Sequence, residues 1–341
     1  MTETAPAELE TVPCNLCGGW EFVPLYRRPD EVYHRENWFQ VVACKTCGLG
    51  FVNPRPTAAA IQRYYPSDYF TYRFKTDTAR LSLRYRRQAA YLKAAAAAAG
   101  KARPRLLDIG CANGDFPRFM RALGWDVDGV ETADNAELID DFPCYRSLED
   151  IPADAPRYDA VTAWAVMEHV HDPMSVFAAT ARLLKKGGVF IALTTNLDSI
   201  SSRYLFREDI PRHLYFFNRR TVAAYAARTS SLTLEDVKSG SQIYQMAPLH
   251  WLRHFLHRTA GLPPLQWHDL PEIRYAYFER TGRSPNLGNT LRYIATHPFT
   301  VLDRALMPYY AKWQEFVGTY GLVIYILRKD GAVAKLSRPS K

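Results

Sequence analysis

The sequence predicts an α/β fold, a doubly wound and mostly parallel seven-stranded sheet, with a small N-terminal cysteine module and a helical insertion before the last strand. Three observations predict it. Apolar β-type runs alternate with helical stretches from about residue 104 onward, as right-handed crossovers between parallel strands require. Leu106-Leu107 leads into Asp108-Ile109-Gly110-Cys111-Ala112-Asn113-Gly114, a small-residue turn at a strand end where backbone can approach a ligand closely. Glu131 closes the next apolar stretch, where a carboxylate at the second strand tip can accept hydrogen bonds from both hydroxyls of a ribose.

Residues 1–12 are acidic and Ala/Pro-rich, unlike a signal peptide, and read as a disordered tail on a cytoplasmic protein. Residues 13–56 carry Cys14-x2-Cys17-Gly18 and Cys44-x2-Cys47-Gly48. Four thiolates in two such knuckles satisfy a tetrahedral zinc ion and leave no open position, so the expected metal role is structural. A pair of disulfides is the rival reading, which a reducing compartment disfavours. Segments 20–26 and 38–43 read as the β strands of this zinc ribbon, and Pro54 and Pro56 are expected to end strand pairing there. Residues 57–103 read as a helical linker or lid, helped by the alanine run at 94–99 and carrying the aromatic cluster Tyr64, Tyr65, Tyr69, Phe70 and Tyr72.

The core spans 104–238, with strand candidates at 105–109, 126–131, 143–146, 159–163, 189–194 and 232–238, and Asn218 as N-cap of a helix through Arg228. Residues 239–320 form an aromatic-rich insertion expected to be helical and to shape an acceptor pocket. Segment 321–341 holds the last core strand and a tail. With 341 residues, 48% hydrophobic and 23% charged, the chain can bury a large core. Its charge of +8 (43 basic against 35 acidic residues) is dispersed in pairs such as Arg86-Arg87. Acidic small molecules suit that balance, whereas nucleic acid is not expected, for want of a dense basic stripe. Membrane contact through segments 250–258 or 302–316 is a lesser alternative, and oligomeric state is not readable.

The glycine turn admits dinucleotide or S-adenosylmethionine (SAM) binding. Ala112 in the middle slot and Asp108 before the first glycine favour SAM, since a carboxylate there would repel a pyrophosphate but can hold an amino-acid end. The ordered segments 106–114, Glu131, Tyr158-Asp159-Ala160-Val161, Met167-Glu168-His169-Val170 and Leu184-Lys185-Lys186-Gly187-Gly188 resemble the motifs of class I SAM-dependent methyltransferases, whose fold is Rossmann-like. The ribbon resembles the N-terminal module of bacterial sugar and natural-product methyltransferases. Ala112 departs from the family's glycine, at little cost if its φ is negative. The resemblance implies that Asp108, Gly110, Cys111 and Gly114 cradle the amino-acid end, Glu131 the ribose, Ser147 and Leu148 the adenine, and Trp164 the methionine portion. Cys111 and Cys144 read as packed thiols.

Methyl transfer to a hydroxyl needs a positioned acceptor and a base. Two candidates follow strand ends: Glu168-His169, with His171 and Asp172 keeping a metal role open, and His213 in Pro211-Arg212-His213-Leu214. His213 resembles the histidine of a Glu-His pair in zinc-containing sugar C-methyltransferases. Arg212 stands where that pair has glutamate, and a histidine alone suits a hydroxyl better than a carbon acid. The expected activity is O-methylation of a sugar, nucleotide sugar or other small molecule. N- or C-methylation, RNA methylation and a noncatalytic scaffold are the alternatives.

Overall fold

In a computed structural model the protein is described over residues 8–30, 36–65, 78–98, 103–133, 139–155, 157–199, 209–240 and 298–330, with a few isolated positions besides. Strand β1 (Leu9–Glu10) opens the chain, followed by β2 (Phe22–Pro29), β3 (Trp38–Cys44), β4 (Gly50–Val52) and β5 (Arg55–Pro56). A short 3-10 turn at Ile61–Tyr64 and helices α1 (Thr78–Tyr91) and α2 (Lys93–Ala98) lead to the core. There β6 (Arg105–Ile109), α3 (Asp115–Ala122), β7 (Asp126–Val130), β8 (Cys144–Tyr145) and β9 (Tyr158–Trp164) alternate. Next come α4 (Pro173–Leu183), β10 (Leu184–Thr195), β11 (Tyr215–Phe216) and α5 (Arg219–Arg228). β12 (Leu232–Ser239), α6 (Pro298–Phe316) and β13 (Leu322–Lys329) complete the described elements.

The large sheet runs β12-β13-β10-β9-β6-β7-β8. Neighbours from β10 to β8 are parallel, and β13 lies antiparallel between β10 and β12. All seven expected strands are present, the central ones as apolar runs between polar turns: β9 is buried throughout, and Phe190 and Ile191 of β10 are fully buried. Helices cover both faces. Phe177 of α4 and Tyr225 of α5 stack at 5.0 Å on one side, while Tyr85 of α1 packs on Phe116 and Phe119 of α3 on the other. Asn218 caps α5 as its sequence predicts, in a reciprocal capping box with Thr221. The strand order reverses between β6 and β9, which opens the crevice at their carboxyl ends.

The N-terminal region departs from expectation in two ways. The tail expected to be disordered through residue 12 is ordered where it is described: Leu9 and Glu10 pair with Pro56 and Arg55, and Val12 exchanges two 3.1 Å hydrogen bonds with Asn53. Pro56 therefore does not end pairing, since a two-residue edge ladder leaves room for a proline that donates nothing. Nor does the ribbon close at residue 56. Its sheet is β11-β4-β3-β2, completed by Tyr215 against Phe51 and Phe216 against Gly50, so a strand 160 residues downstream belongs to it.

Of the insertion, α6 and isolated positions are described. Tyr309 and Trp313 on α6 are exposed. The aromatics Tyr69, Phe70 and Tyr72 and the segment 250–258 lie outside the described residues. Among the described residues no helix is long and apolar enough to cross a membrane.

Candidate functional site

The residues that the sequence singles out lie in three groups of side chains. The first is the crevice at β6 and β9. Asp108 and Thr162 are register partners on these strands, and the Thr162 hydroxyl donates to the Asp108 carboxylate at 2.5 Å. Burial pushes the Asp108 carboxyl up to about 7; the Thr162 bond opposes this and the nearby Glu131 charge adds to it. Glu131 is thus close enough for its charge to act on Asp108. Glu131 accepts the backbone N–H of Ala112 at 2.8 Å and of Ala133 at 3.0 Å, fixing it at the tip of β7. Gly110 has φ +68°, and a Cβ there would stand 2.5 Å from Val166 Cγ2, so backbone closeness is built in.

Ala112 has φ +52°. The negative φ under which alanine would cost little is not what the loop adopts, and the left-handed conformation costs an alanine roughly 1 kcal/mol. Its N–H bond to Glu131 offsets part of this. Gly114 begins α3 with φ +78°. Cys111 is a packed thiol, its sulfur 3.8 Å from Cys144, and burial pushes it far above the ordinary thiol range. Ser147 donates to Asp150 at 3.0 Å and Leu148 is packed in the core. Trp164 lies edge-on to Phe116 at 5.8 Å, and its buried Nε1 has no hydrogen-bond partner among the described residues. A carboxylate pair, a glycine-lined approach and an orphaned indole donor fit a nucleoside carrying a cationic amino-acid tail.

The second group is Glu168, His169 and His213. These three come together, one ligating atom from each lying within 4.8 Å of the others. The loop after β9 carries the first two, and the Glu168 carbonyl accepts from Leu214 and Tyr215 at 2.7 and 3.2 Å, which clamps it against the segment bearing His213. The imidazoles of His169 and His213 meet edge to face at 4.7 Å. His169 Nδ1 lies 3.0 Å from both the Arg212 carbonyl and the Tyr65 hydroxyl. A carbonyl only accepts, so Nδ1 carries the proton and Nε2 is the basic nitrogen. His213 Nε2 lies 3.4 Å from the Asp209 carboxylate, an ion pair when the ring is protonated.

His171 and Asp172 do not join this group. His171 Nε2 donates to the Pro56 carbonyl at 3.1 Å, and burial holds its pKa below the usual value. Asp172 caps α4; burial raises its carboxyl, but bonds from Ser175 and Asn15 outweigh this and hold it low. Sequence reasoning missed Thr162 and Asp30, which contact their partners 54 and 182 residues away, and Asp209, whose partners Arg212 and His213 lie three and four residues on; it saw Tyr65 only as one aromatic of a cluster.

The third group is the four cysteines, all free thiols. Cys14 and Cys47 sulfurs lie 3.4 Å apart, as do those of Cys17 and Cys44, and all four fall within 4.8 Å. Each knuckle turns through a left-handed glycine whose N–H returns to the first cysteine's carbonyl, Gly18 to Cys14 at 2.7 Å and Gly48 to Cys44 at 2.9 Å. Burial pushes Cys14 up strongly and Cys47 up to about 11, while backbone N–H and thiol bonds overcome burial at Cys44 and bring it down to about 7. Four sulfurs this close form a donor set that fits a soft tetrahedral cation.

Residues 82–229 match the family model described as a methyltransferase domain. A ubiquinone biosynthesis O-methyltransferase of Xanthomonas campestris pv. campestris is 32% identical over 158 residues, which cover 39% of this chain and 64% of that protein. The protein of the same description from Thiobacillus denitrificans is 34% identical over 154 residues, covering 39% and 66%. The chain thus spans just under two thirds of the length of these curated relatives. Among solved structures, the plantazolicin methyltransferase BpumL in complex with SAH aligns with a TM-score of 0.43 and 12% identity, over 80% of this chain and 92% of that one.

Proposed function

We propose that the protein is a SAM-dependent methyltransferase that methylates a hydroxyl of a small molecule, a sugar or another natural product, with His213 or His169 as the base. The observation that carries this reading is the convergence of Glu168, His169 and His213 on segments that follow β9 and β10 of the sheet in which Asp108 lies on β6 and Glu131 at the tip of β7. SAM, when bound, supplies an electrophilic methyl group with a neutral thioether as leaving group. In this reading Asp108 and the 110–114 loop hold its amino-acid end, Glu131 accepts from the ribose, and Trp164 lines the methionine portion. His213 takes the acceptor's proton, and Asp209 offsets the resulting positive charge. Glu168 and His169 orient the acceptor, with Tyr65 steadying the His169 ring. A zinc ion held by Cys14, Cys17, Cys44 and Cys47 would be structural.

Asp209 also favours a second reading, methylation at carbon. A carboxylate behind His213 supplies the support that Arg212 in place of glutamate removes, so His213 is not a histidine alone. Incubating the protein with methyl-labelled SAM and a panel of sugars, nucleotide sugars and phenols tests both readings. A product heavier by one methyl group is expected, and NMR assigns the label to oxygen or carbon. Absence of SAM binding by calorimetry would sink both.

A further inference from the structure

One residue holds the two histidines from opposite sides. Arg212 and Asp30 are both fully buried, where the ribbon meets the core. The Arg212 guanidinium donates to both Asp30 oxygens at 3.0 Å each, and one of the same nitrogens also donates to the Tyr64 carbonyl at 3.0 Å. Its Nε approaches Asp209 at 3.4 Å, the carboxylate that faces His213. The Arg212 backbone carbonyl receives His169 Nδ1. The backbone of a single residue therefore reaches one imidazole and its side chain the carboxylate that faces the other, while Asp30 holds that side chain in place.

A buried ion pair is a poor device for stability, since apolar replacements of similar volume are often neutral or better. Its worth lies in geometry: the planar fork satisfies three acceptors in fixed directions, which a lysine cannot do. We infer that Arg212 and Asp30 are positioning residues, fixing the tautomers and mutual orientation of His169 and His213, so that the ribbon contributes to the site through Asp30. The inference rests on the reading of these histidines as acceptor-side groups.

The test uses the full-length, metal-loaded protein with 15N-labelled histidine, whose ring-nitrogen shifts report the tautomer without any acceptor. Two variants are compared with wild type, the apolar pair Asp30→Leu/Arg212→Met and the single Arg212→Lys. The apolar pair should fold, bind SAM as wild type does, and show altered nitrogen shifts at both histidines. Methyl transfer to whichever acceptor the panel identifies should fall about 100-fold, the scale of a misplaced reacting group. Arg212→Lys keeps the charge opposite Asp30 but cannot also reach Tyr64 and Asp209, so His213 should shift. A folded variant of either kind with wild-type shifts at His213 overturns the inference. Failure of both variants to fold assigns the pair to stability and overturns it as well. If wild type does not bind SAM, the methyl-transfer reading falls, while the nitrogen shifts still decide whether the pair orients the rings.

Discussion

Asp108 is the residue whose chemistry is most constrained by its surroundings. Its carboxyl sits at about 7 in the folded protein, above the ordinary 3.9 or so of an unfolded aspartate. Between those values the folded state holds a proton that the unfolded chain has released, so stability falls as pH rises from about 4 to 7, by at most about 1.4 kcal/mol per pH unit. Thermal melting of wild type and Asp108→Asn across pH 5–8 should show a steeper decline in wild type. A cationic ligand tail reverses the preference, because it favours the ionised carboxylate. SAM affinity measured by calorimetry is therefore expected to rise with pH through 7 in wild type and to stay flat in Asp108→Asn. His213 gives the complementary case: His213→Ala should cut transfer by about 10²–10⁴-fold and leave SAM affinity intact, and unchanged transfer would remove it from the mechanism.

At the scale of elements, the turn from β6 into α3 is where local sequence and tertiary packing agree most closely. Gly110→Ala adds a methyl against Val166, whose β-branched side chain has little freedom to move, in a conformation an alanine adopts at a cost of about 1–2 kcal/mol. Lower SAM affinity and a lower melting temperature are expected. Adding Val166→Ala should recover the steric part and not the conformational part, which calorimetry and melting of the double variant can separate. This turn was readable because its constraint is written in adjacent residues. The core strands β6, β9, β10 and β13 were readable for the same reason, as apolar runs of adequate length, and β7, β8 and β12 from their place in the alternation of strand and helix. β1, β5 and β11 were not: two-residue strands have no periodicity, and Pro56 and Tyr215–Phe216 pair only because tertiary contacts bring their partners to them. The candidate bases were visible as motifs, whereas the Arg212–Asp30 bond joins residues 182 positions apart, and no local pattern announces a partner at that distance.

At the scale of the whole molecule, the ribbon and the core form one packed unit. β11 is shared between the ribbon sheet and the segment that carries His213. Arg55 donates to the His171 carbonyl and the Tyr215 hydroxyl at 2.8 Å each. The knuckle residue Asn15 donates to Asp172 and accepts from Tyr225, at 2.9 Å each. These contacts tie the cysteine module to β11, to α5 and to the loop after β9 that also carries Glu168 and His169. A zinc ion bound only by the native cysteine cluster would stabilise the folded state by mass action, and through these contacts the stabilisation would extend to the segment that carries the histidines. Chelation, or Cys44→Ser, should therefore lower the melting temperature of the whole chain and weaken transfer, although no cysteine of the cluster touches the crevice. Heating the metal-loaded protein with a chromophoric chelator present should release zinc in the same transition that exposes the buried Trp164, as a two-state unit requires. Release in a separate, earlier step, with Trp164 fluorescence and SAM affinity unchanged, would show an independent ribbon and dissolve the coupling between metal and site.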